Sequence, residues 1–291
     1  MANTNSHLII KDHSVSGEEF KLIKNSEFGY LETTPQPPLH KLSEYYESED
    51  YISHTDSKRN MFEKMYHLVR TISLNKKLKL INTFAHRQVQ HENSESKNLL
   101  DVGCGTGDFL QTALNANWKV CGIEPNDKAR TIANSKTNNS VFETEHLLKF
   151  EANSFDVITL WHVLEHLPNL EDHIRIFKKL LKDNGILVIA VPNYKSYDAK
   201  YYKQFWAAYD VPRHLWHFNR ESISDLASKF SFKVIKTKPM WFDAFYVSML
   251  SEKYKSGKMK PIKGFWVGLL SNVKALYSNE ASSLIYIIKN C

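Results

Sequence analysis

The stretch Asn98-Leu-Leu-Asp-Val-Gly-Cys-Gly-Thr-Gly-Asp-Phe-Leu110 decides the fold of this chain. Its apolar run, Leu99 to Val102, predicts a buried strand, and the residues from Asp108 onward predict the start of a helix. Between them lies the turn Gly103-Cys-Gly-Thr-Gly107, whose glycines let the backbone adopt unusual dihedral angles and approach a ligand closely. A strand, a glycine turn and a helix in this order are typical of a nucleotide-binding pocket.

An acidic residue follows the glycine turn at the distance typical of such a pocket. Glu124 ends the next strand-like run, Lys119 to Glu124, about 20 residues after the turn. A carboxylate at that position can accept hydrogen bonds from both hydroxyls of a ribose. Glu124 is therefore a predicted ribose-binding residue, and its pairing with the turn is more specific than the glycines alone.

The charges around the turn indicate which nucleotide it binds. In a dinucleotide fingerprint the third glycine comes one residue later, at the position that Asp108 occupies here. Asp101 stands just before the turn, so two carboxylates flank the loop. They would repel a pyrophosphate, but they suit a ligand that carries ammonium and sulfonium charges. The pattern favours S-adenosylmethionine over NAD, with Asp101 beside the cationic end and the backbone of Gly103 and Gly105 against the methionine part.

Three segments of the sequence resemble a known family. The runs LLDVGCGTGDFL, GIEPN and FDVITLWHVLEHLPN are similar to the class I S-adenosylmethionine-dependent methyltransferases, in particular to the methyltransferase-23-like group that includes the ubiquinone-biosynthesis O-methyltransferases. The resemblance is close over residues 97–240 and looser beyond them. It implies an α/β enzyme with a doubly wound, mostly parallel seven-stranded sheet (Rossmann-like) and S-adenosyl-L-methionine as the cofactor. The cofactor-binding set that it implies is Asp101, Gly103, Cys104, Gly105, Gly107, Glu124, Pro125, Glu145, His146, Trp161 and His162.

The pattern of strands and helices along the chain predicts the same α/β architecture. Alternating strand and helix patterns over residues 97–191 predict a parallel sheet that binds ligands at the carboxyl ends of its strands. Two later candidates, 232–238 and 283–288, predict an antiparallel pair at one edge. Residues 240–280 thus become an insertion before the last strand, with two amphipathic helices predicted over the mouth of the site. Packing on the core is the role favoured for these helices, and contact of their aromatics and lysines with a membrane surface is the alternative.

Residues 1–40 predict a short hairpin followed by a proline-containing linker. By resemblance this segment is a degenerate zinc ribbon, because Asn25 and Phe28 stand where relatives carry cysteine ligands. A hairpin without metal is therefore expected, with a flexible tail as the alternative.

Residues 41–96 carry apolar residues at helical spacing, which predicts a helical cap at one edge of the sheet. The YISH cluster in this segment resembles the part that closes over the cofactor in relatives. Tyr51 and His54 are therefore substrate-binding candidates, with a surface loop as the alternative. The methyltransferase domain is expected over residues 97–291, with a lid at 192–220.

The run Leu160-Trp-His-Val-Leu-Glu-His166 follows the fourth strand, where the resemblance places the methionine part of the cofactor and the acceptor. Ubiquinone-pathway relatives show Glu-x-x-Glu-His here and can hold a divalent cation, whereas this chain has His162 first, then the matching Glu165 and His166. Two histidines and one carboxylate are softer ligands than magnesium prefers. No resident metal is therefore predicted; a metal at these residues and a pairing role within the fold are the alternatives.

The lid is rich in aromatics and long for a loop in a compact domain, which is typical of a functional element. Its run Val211-Pro-Arg-His-Leu-Trp-His-Phe218 resembles a PRHLxxF element of relatives that act on small molecules and sugars. Arg213 is the candidate for binding an anionic group of the substrate. His166, His214 and His217 are the catalytic candidates for accepting a proton from the nucleophile, in no fixed order. A structural role for a lid histidine is the alternative.

Composition narrows the class of protein. The 291 residues suffice for one large domain with additions, and 42% hydrophobic with 24% charged residues is an ordinary globular composition. A formal net charge of +6 is below that of a dedicated nucleic-acid binder, so no nucleic-acid partner is expected. Three separated cysteines indicate a reducing compartment, and no apolar run approaches the length of a membrane span. The expected location is the cytoplasm.

These observations predict methyl transfer from S-adenosylmethionine to a small-molecule or glycan-like acceptor, with oxygen favoured as the methylated atom. One alternative is a nucleic-acid or protein methyltransferase, against which stand the modest charge and the absence of an Asn-Pro-Pro-Tyr type element after the fourth strand. The other alternative is a non-catalytic module that binds S-adenosylmethionine. The sequence leaves the acceptor and the oligomeric state open.

Overall fold

The computed structural model describes residues 8–46, 61–86 and 97–291, and it contains two β-sheets. The larger sheet has seven strands, and its first five strands in chain order pair parallel. The predicted doubly wound, mostly parallel sheet is therefore confirmed. The strands, in chain order, are β1 (Leu8–Lys11), β2 (Glu19–Lys24), β3 (Leu31–Thr34), β4 (Asn98–Val102), β5 (Lys119–Ile123), β6 (Val141–Phe142), β7 (Phe155–Trp161), β8 (Leu181–Pro192), β9 (Trp216–His217), β10 (Phe232–Pro239) and β11 (Ser283–Asn290).

The strand order of the large sheet is β10-β11-β8-β7-β4-β5-β6. Strand β11 runs antiparallel to both of its neighbours, as predicted for the last strand. No helix in the described ranges has the length and apolar character that a membrane span requires. The α-helices of these ranges are α1 (Leu39–Leu42), α2 (Met61–His86), α3 (Asp108–Leu114), α4 (Asp127–Lys136), α5 (Leu170–Leu180), α6 (Tyr197–Tyr202), α7 (Arg220–Lys229), α8 (Asp243–Ser256) and α9 (Pro261–Ser278).

The central strands are buried on both faces, which is why they read as continuous apolar runs. Leu99 and Leu100 are adjacent in β4 and both are fully buried, but they belong to different core clusters on opposite sides of the sheet. Helices α2, α3 and α4 cover the side of Leu99, whereas α5 and α7 cover the side of Leu100. The loops at the carboxyl ends of β4, β5 and β7 are thereby left to build the site.

The amino-terminal segment forms an antiparallel sheet of its own, in the order β1-β2-β3-β9. It contains three strands rather than a simple hairpin, and its fourth strand is β9 from the lid. At the positions of the expected cysteines, the Asn25 side chain accepts hydrogen bonds from the backbone N–H of Glu27 and Phe28, at 2.9 Å each. Phe28 is buried beside Tyr30. A hydrogen-bonded turn and apolar packing therefore organise this element.

The insertion between β10 and β11 consists of α8 and α9, as predicted. The two helices pack against each other, and both contact α6 of the lid. They lie close together at Gly264, where an added Cβ would lie 2.7 Å from the Met249 Cα atom. The insertion and the lid therefore form one packed unit beside the carboxyl edge of the sheet.

Candidate functional site

The three glycines of the turn after β4 have different surroundings. All adopt positive φ, at 68° for Gly103, 56° for Gly105 and 75° for Gly107. An added Cβ would lie 2.5 Å from a Val163 methyl group at Gly103 and 2.8 Å from Ala133 at Gly107. At Gly105 it would meet no atom within 4 Å. Gly103 and Gly107 therefore permit close packing of the chain, and Gly105 presents bare backbone to open space.

Glu124 lies directly beside that open backbone. Its Oε2 accepts a hydrogen bond from the Gly105 N–H at 2.8 Å, and its Oε1 accepts one from the Asn126 N–H at 2.9 Å. The residue is 8% exposed. Burial raises the pKa of Glu124, while the two N–H donors lower it. Each carboxylate oxygen keeps a second lone pair, so the group can also accept hydrogen bonds from a diol.

Asp101 is buried below the turn and accepts a hydrogen bond from the Thr159 hydroxyl at 2.6 Å. Burial raises its pKa to about 7, although Thr159 and the positive charge of Lys77 oppose that shift. The Lys77 ammonium lies 4.4 Å from the centre of the Trp161 ring, and burial lowers its pKa. No sequence motif pointed to Lys77, because it comes from α2 rather than from the sheet.

Asp108 does not have the role that the sequence predicts for it. Instead of facing the ligand as a second carboxylate, it forms ion pairs with Arg70 and Lys136 and accepts a hydrogen bond from Thr106. Its charge is thus balanced within the protein. Asp101 alone remains as the acidic group below the turn.

Two aromatic rings are stacked next to Glu124. The rings of Phe142 and His146 lie 4.0 Å apart and 10° from parallel. The Phe142 carbonyl accepts a hydrogen bond from the Glu124 N–H at 2.9 Å, so this pair has a fixed position relative to the carboxylate. Glu145 and Pro125 are exposed nearby. Sequence reasoning found His146 but missed Phe142, because a two-residue strand carries almost no pattern.

His162 connects the end of β7 to the insertion. It adopts a positive φ of 59°, and its Nε2 lies 2.9 Å from Asp243 Oδ2 at the start of α8. Its Nδ1 lies 3.4 Å from Glu165 Oε1. Burial lowers the pKa of His162, but the contacts with Asp243 and Glu165 together raise it to about 10. His162 is therefore a cation at neutral pH, and it cannot accept a proton.

The three histidines predicted as bases differ in their hydrogen bonds. His166 Nδ1 lies 3.1 Å from the Arg213 carbonyl, and His214 Nδ1 lies 2.9 Å from the Ala208 carbonyl. Because a carbonyl only accepts, Nδ1 carries the proton in both rings and Nε2 is the basic atom. Burial lowers the pKa of His214 well below its usual value.

His217 does not fit the role of a base. Its Nε2 lies 3.0 Å from the hydroxyl of Thr33, and that hydroxyl donates its own proton to the His214 carbonyl at 2.6 Å. His217 Nε2 must therefore donate, which joins β9 to β3. Burial also lowers the pKa of His217 to about 3. This arrangement corrects the prediction and gives the residue a structural role.

The contacts of Arg213 are also structural. The residue is 3% exposed, and its guanidinium donates to the carboxylates of Asp12 and Asp210, to the Tyr45 carbonyl and to the Ser14 hydroxyl. The predicted contact with an anionic substrate group does not agree with this geometry. Tyr51 and His54, the other substrate-binding candidates, lie outside the described residues.

One group among the described residues has the geometry of a metal site. Ligand atoms of Glu165, His166 and His214 all lie within 4.8 Å of one another. Glu165 is 1% exposed, and apart from the contact of its Oε1 with His162 neither of its oxygens has a hydrogen-bond partner among the described residues. The Nδ1 contacts of both histidines with carbonyls are typical of metal-binding histidines. The set differs from the one considered from the sequence, because His214 takes the place of His162. The absence of a resident metal stays a prediction.

Comparisons with known proteins agree with this geometry. A family model described as "Methyltransferase domain" matches residues 60–237. The ubiquinone biosynthesis O-methyltransferase of Hydrogenovibrio crunogenus is 30% identical over 117 residues, which are 37% of this chain and 48% of that protein. An uncharacterized protein of Methanocaldococcus jannaschii is 31% identical over 155 residues, covering 52% of this chain and 59% of that protein. The chain thus spans about half the length of these curated relatives.

A solved structure shares the fold. Magnesium protoporphyrin IX methyltransferase from Synechocystis PCC 6803, solved with bound SAH, superposes with a TM-score of 0.55 at 13% identity, covering 87% of this chain and 100% of that chain. The sheet order and the glycine-turn site define a Rossmann-like methyltransferase domain. The family match extends over more than half of the chain, and the chain belongs to the class I S-adenosylmethionine-dependent methyltransferases.

Proposed function

We propose that this protein transfers the methyl group of S-adenosylmethionine to a hydroxyl of a small-molecule or glycan-like acceptor. The observation that carries the proposal is the buried Glu124 carboxylate, held by two backbone N–H groups beside the open face of Gly105. This arrangement fits the cofactor, because a ribose diol can hydrogen-bond to the carboxylate while the ligand lies against bare backbone. The ubiquinone-pathway relatives support oxygen as the methylated atom.

Each polar group of the site has a binding task in this proposal. Glu124 accepts hydrogen bonds from the ribose, the stacked pair of Phe142 and His146 lies on the side of the adenine, and ionised Asp101 attracts the ammonium group. The bound cofactor supplies a methyl group activated by a sulfonium. Transfer needs an in-line approach, so the main contribution of the protein is to hold both reactants in position, worth up to about 7–11 kcal/mol in well-oriented reactions.

A hydroxyl acceptor must lose a proton, and His166 is the residue that we assign to this task. Its Nδ1 donates to the Arg213 carbonyl, which leaves Nε2 as the proton acceptor. His162 is excluded by its positive charge, and His217 is excluded because burial lowers its pKa to about 3. His214 contacts His166 edge to face at 4.5 Å, and burial lowers its pKa well below the usual value, so His214 is a poor proton acceptor.

Replacement of His166 by asparagine tests this assignment. We expect kcat to fall about 100-fold, the lower end of the range for general bases, because the sulfonium is already a strong electrophile. The affinity for S-adenosylhomocysteine should not change. The measurement is methyl transfer from S-adenosylmethionine to a panel of phenols and sugars. His173→Asn is the matched control, since His173 also places Nδ1 near a backbone carbonyl but lies at the surface.

An unchanged kcat in His166→Asn would remove His166 from the reaction. Tight binding of S-adenosylhomocysteine by the wild-type protein, without turnover on any acceptor of the panel, would instead favour the non-catalytic module. Binding to RNA or DNA that weakens with salt would favour a nucleic-acid methyltransferase.

Cofactor binding is expected to depend on pH through Asp101. Its pKa of about 7 means that the carboxyl group gains a proton as the pH falls below neutrality. Only the ionised form attracts the ammonium group of the ligand, so affinity should fall with decreasing pH, by about tenfold per pH unit well below the pKa. Calorimetry with S-adenosylhomocysteine between pH 5.5 and 8, roughly one unit either side of that pKa, measures the slope. The Asp101→Asn variant should bind weakly at every pH, and the same slope in that variant would contradict the assignment.

A further inference from the structure

Helix α9 buries small side chains and exposes bulky apolar ones, which is the reverse of what a helix that only packs on the core would do. The side chains that it buries are small: an added Cβ at Gly264 or Gly268 would lie within 2.8 Å of the backbone of α8. These glycines bring the two helices into close contact. The residues that α9 buries are Gly264, Val267, Gly268, Ser271 and Ala275.

The bulky apolar side chains of the same helix point to solvent. Ile262 is 76% exposed, Trp266 57%, Leu276 64% and Tyr277 86%. With Phe265, Leu270 and Val273 they recur at spacings of three, four and seven residues and form one continuous stripe, whose members are all at least 44% exposed. A stripe of this length is larger than the scattered apolar residues of an ordinary surface. The exposed apolar residues of this face are Ile262, Phe265, Trp266, Leu270, Val273, Leu276 and Tyr277.

The sequence that forms and precedes the stripe is rich in lysine. Residues 253–279 contain six lysines and no acidic residue. The nearest acid in sequence on the amino-terminal side, Glu252, is fully buried and pairs with Lys263 at 2.9 Å. The surface therefore combines apolar side chains with a rim of lysines, one of which, Lys263, pairs with that buried carboxylate. The lysines of this rim are Lys253, Lys255, Lys258, Lys260, Lys263 and Lys274.

A groove opens in the same surface, between α9 and the lid. It has a volume of about 600 Å³, with Tyr201, Ile262, Trp266 and Leu270 in its wall and Lys260 at its rim. A hydrophobic wall next to an ammonium group matches a molecule with an acyl chain and an anionic head.

We propose that the stripe on α9 docks onto a lipid surface rich in anionic headgroups. Helix α9 would lie in the plane of the interface, with Trp266 and Ile262 among the acyl chains and the lysines beside the phosphates. A second copy of the chain fits the surface less well. A two-fold contact through this stripe would bring the two lysine rims together, and their repulsion opposes association.

Docking would also orient the active site. Helix α8 belongs to the same insertion, and its first residue, Asp243, contacts His162 at the end of β7. The lipid surface and the acceptor site would thus lie on one packed unit. An acceptor carried in a membrane could reach the site from this side.

The experiment is sedimentation of the full-length protein with phosphatidylcholine vesicles that contain or lack phosphatidylglycerol. We expect the wild-type protein to bind the anionic vesicles and to be released by salt. The double variant Ile262→Ser with Trp266→Ser should bind about 100-fold more weakly, since each buried apolar side chain contributes about tenfold. Lys258→Gln and Lys260→Gln should each reduce binding to anionic vesicles by about fivefold.

Matched controls are Leu148→Ser, at a similarly exposed apolar residue between β6 and β7, and Lys119→Gln at the start of β5. Neither should change vesicle binding. Binding of S-adenosylhomocysteine and the midpoint of thermal unfolding report whether each variant is folded, independently of the methyl-transfer proposal. Failure of the wild-type protein to bind anionic vesicles, or full binding by the folded double variant, would overturn the proposal. So would a lipid-independent dimer that the double variant dissociates.

Discussion

Replacement of Glu124 by alanine is expected to weaken the binding of S-adenosylhomocysteine by about 10²- to 10⁴-fold. The carboxylate would accept two hydrogen bonds from the ribose, and each bond to a charged group contributes about 1.5–3 kcal/mol. The same group holds Gly105 through its N–H at 2.8 Å. The variant therefore loses both the ribose contact and the support of the turn. Isothermal titration calorimetry measures the change.

A second substitution at Glu124 and a control elsewhere separate the loss of the ribose contact from the loss of support for the turn. Glu124→Gln keeps one oxygen for the backbone and loses the negative charge, so we expect an intermediate affinity. Glu151→Ala is the control, because Glu151 is an exposed acid on the loop before β7. An unchanged affinity in folded Glu124→Ala would contradict both the ribose contact and the assignment of the pocket.

The pocket could be predicted from the sequence because its parts lie close together along the chain. Strand β4, the glycine turn and Glu124 fall within residues 98–124, where each feature has its own local pattern. The sheet order follows from the alternation of strands and helices, which leaves few topologies. The separate tasks of the glycines could not be predicted, because they depend on Val163 and Ala133 in other elements.

The roles of Arg213 and His162 could not be predicted from the sequence, because their partners lie far away along the chain. Asp12 lies 201 residues before Arg213, and Asp243 lies 81 residues after His162. Neither pair has a periodic or spacing signal. An arginine or a histidine beside a pocket therefore looks available for a ligand until its partners are known. The 3% exposure of Arg213, together with its two carboxylate partners, shows that its guanidinium is not available for a ligand.

Loss of the Arg213 side chain is expected to be strongly destabilising. In Arg213→Met the carboxylate of Asp12, which is 2% exposed, would stay buried without its cation, and Asp210 would lose the same partner. Breaking a buried ion pair by removing one partner costs about 3–5 kcal/mol of the free energy of unfolding. Arg175→Met is the control, because the Arg175 side chain is 55% exposed and its pairs with Glu171 and Asp172 contribute at most about 1 kcal/mol.

Acid titration and a double variant test whether the ion pair is the cause. Burial raises the pKa of Asp12, but backbone N–H donors and Arg213 together lower it to about 2, from a usual 3.8. A depressed carboxyl pKa stabilises the fold above the unfolded-state value, and this contribution is lost as the pH falls through about 2. The wild-type protein should therefore lose stability between pH 4 and 2, roughly the window between those two values, and Arg213→Met should lose less there. Adding Asp12→Asn to Arg213→Met should recover part of the lost stability, since no unpaired charge then remains at that position. A purely additive loss in the double variant would show that Arg213 stabilises the lid by packing rather than by charge.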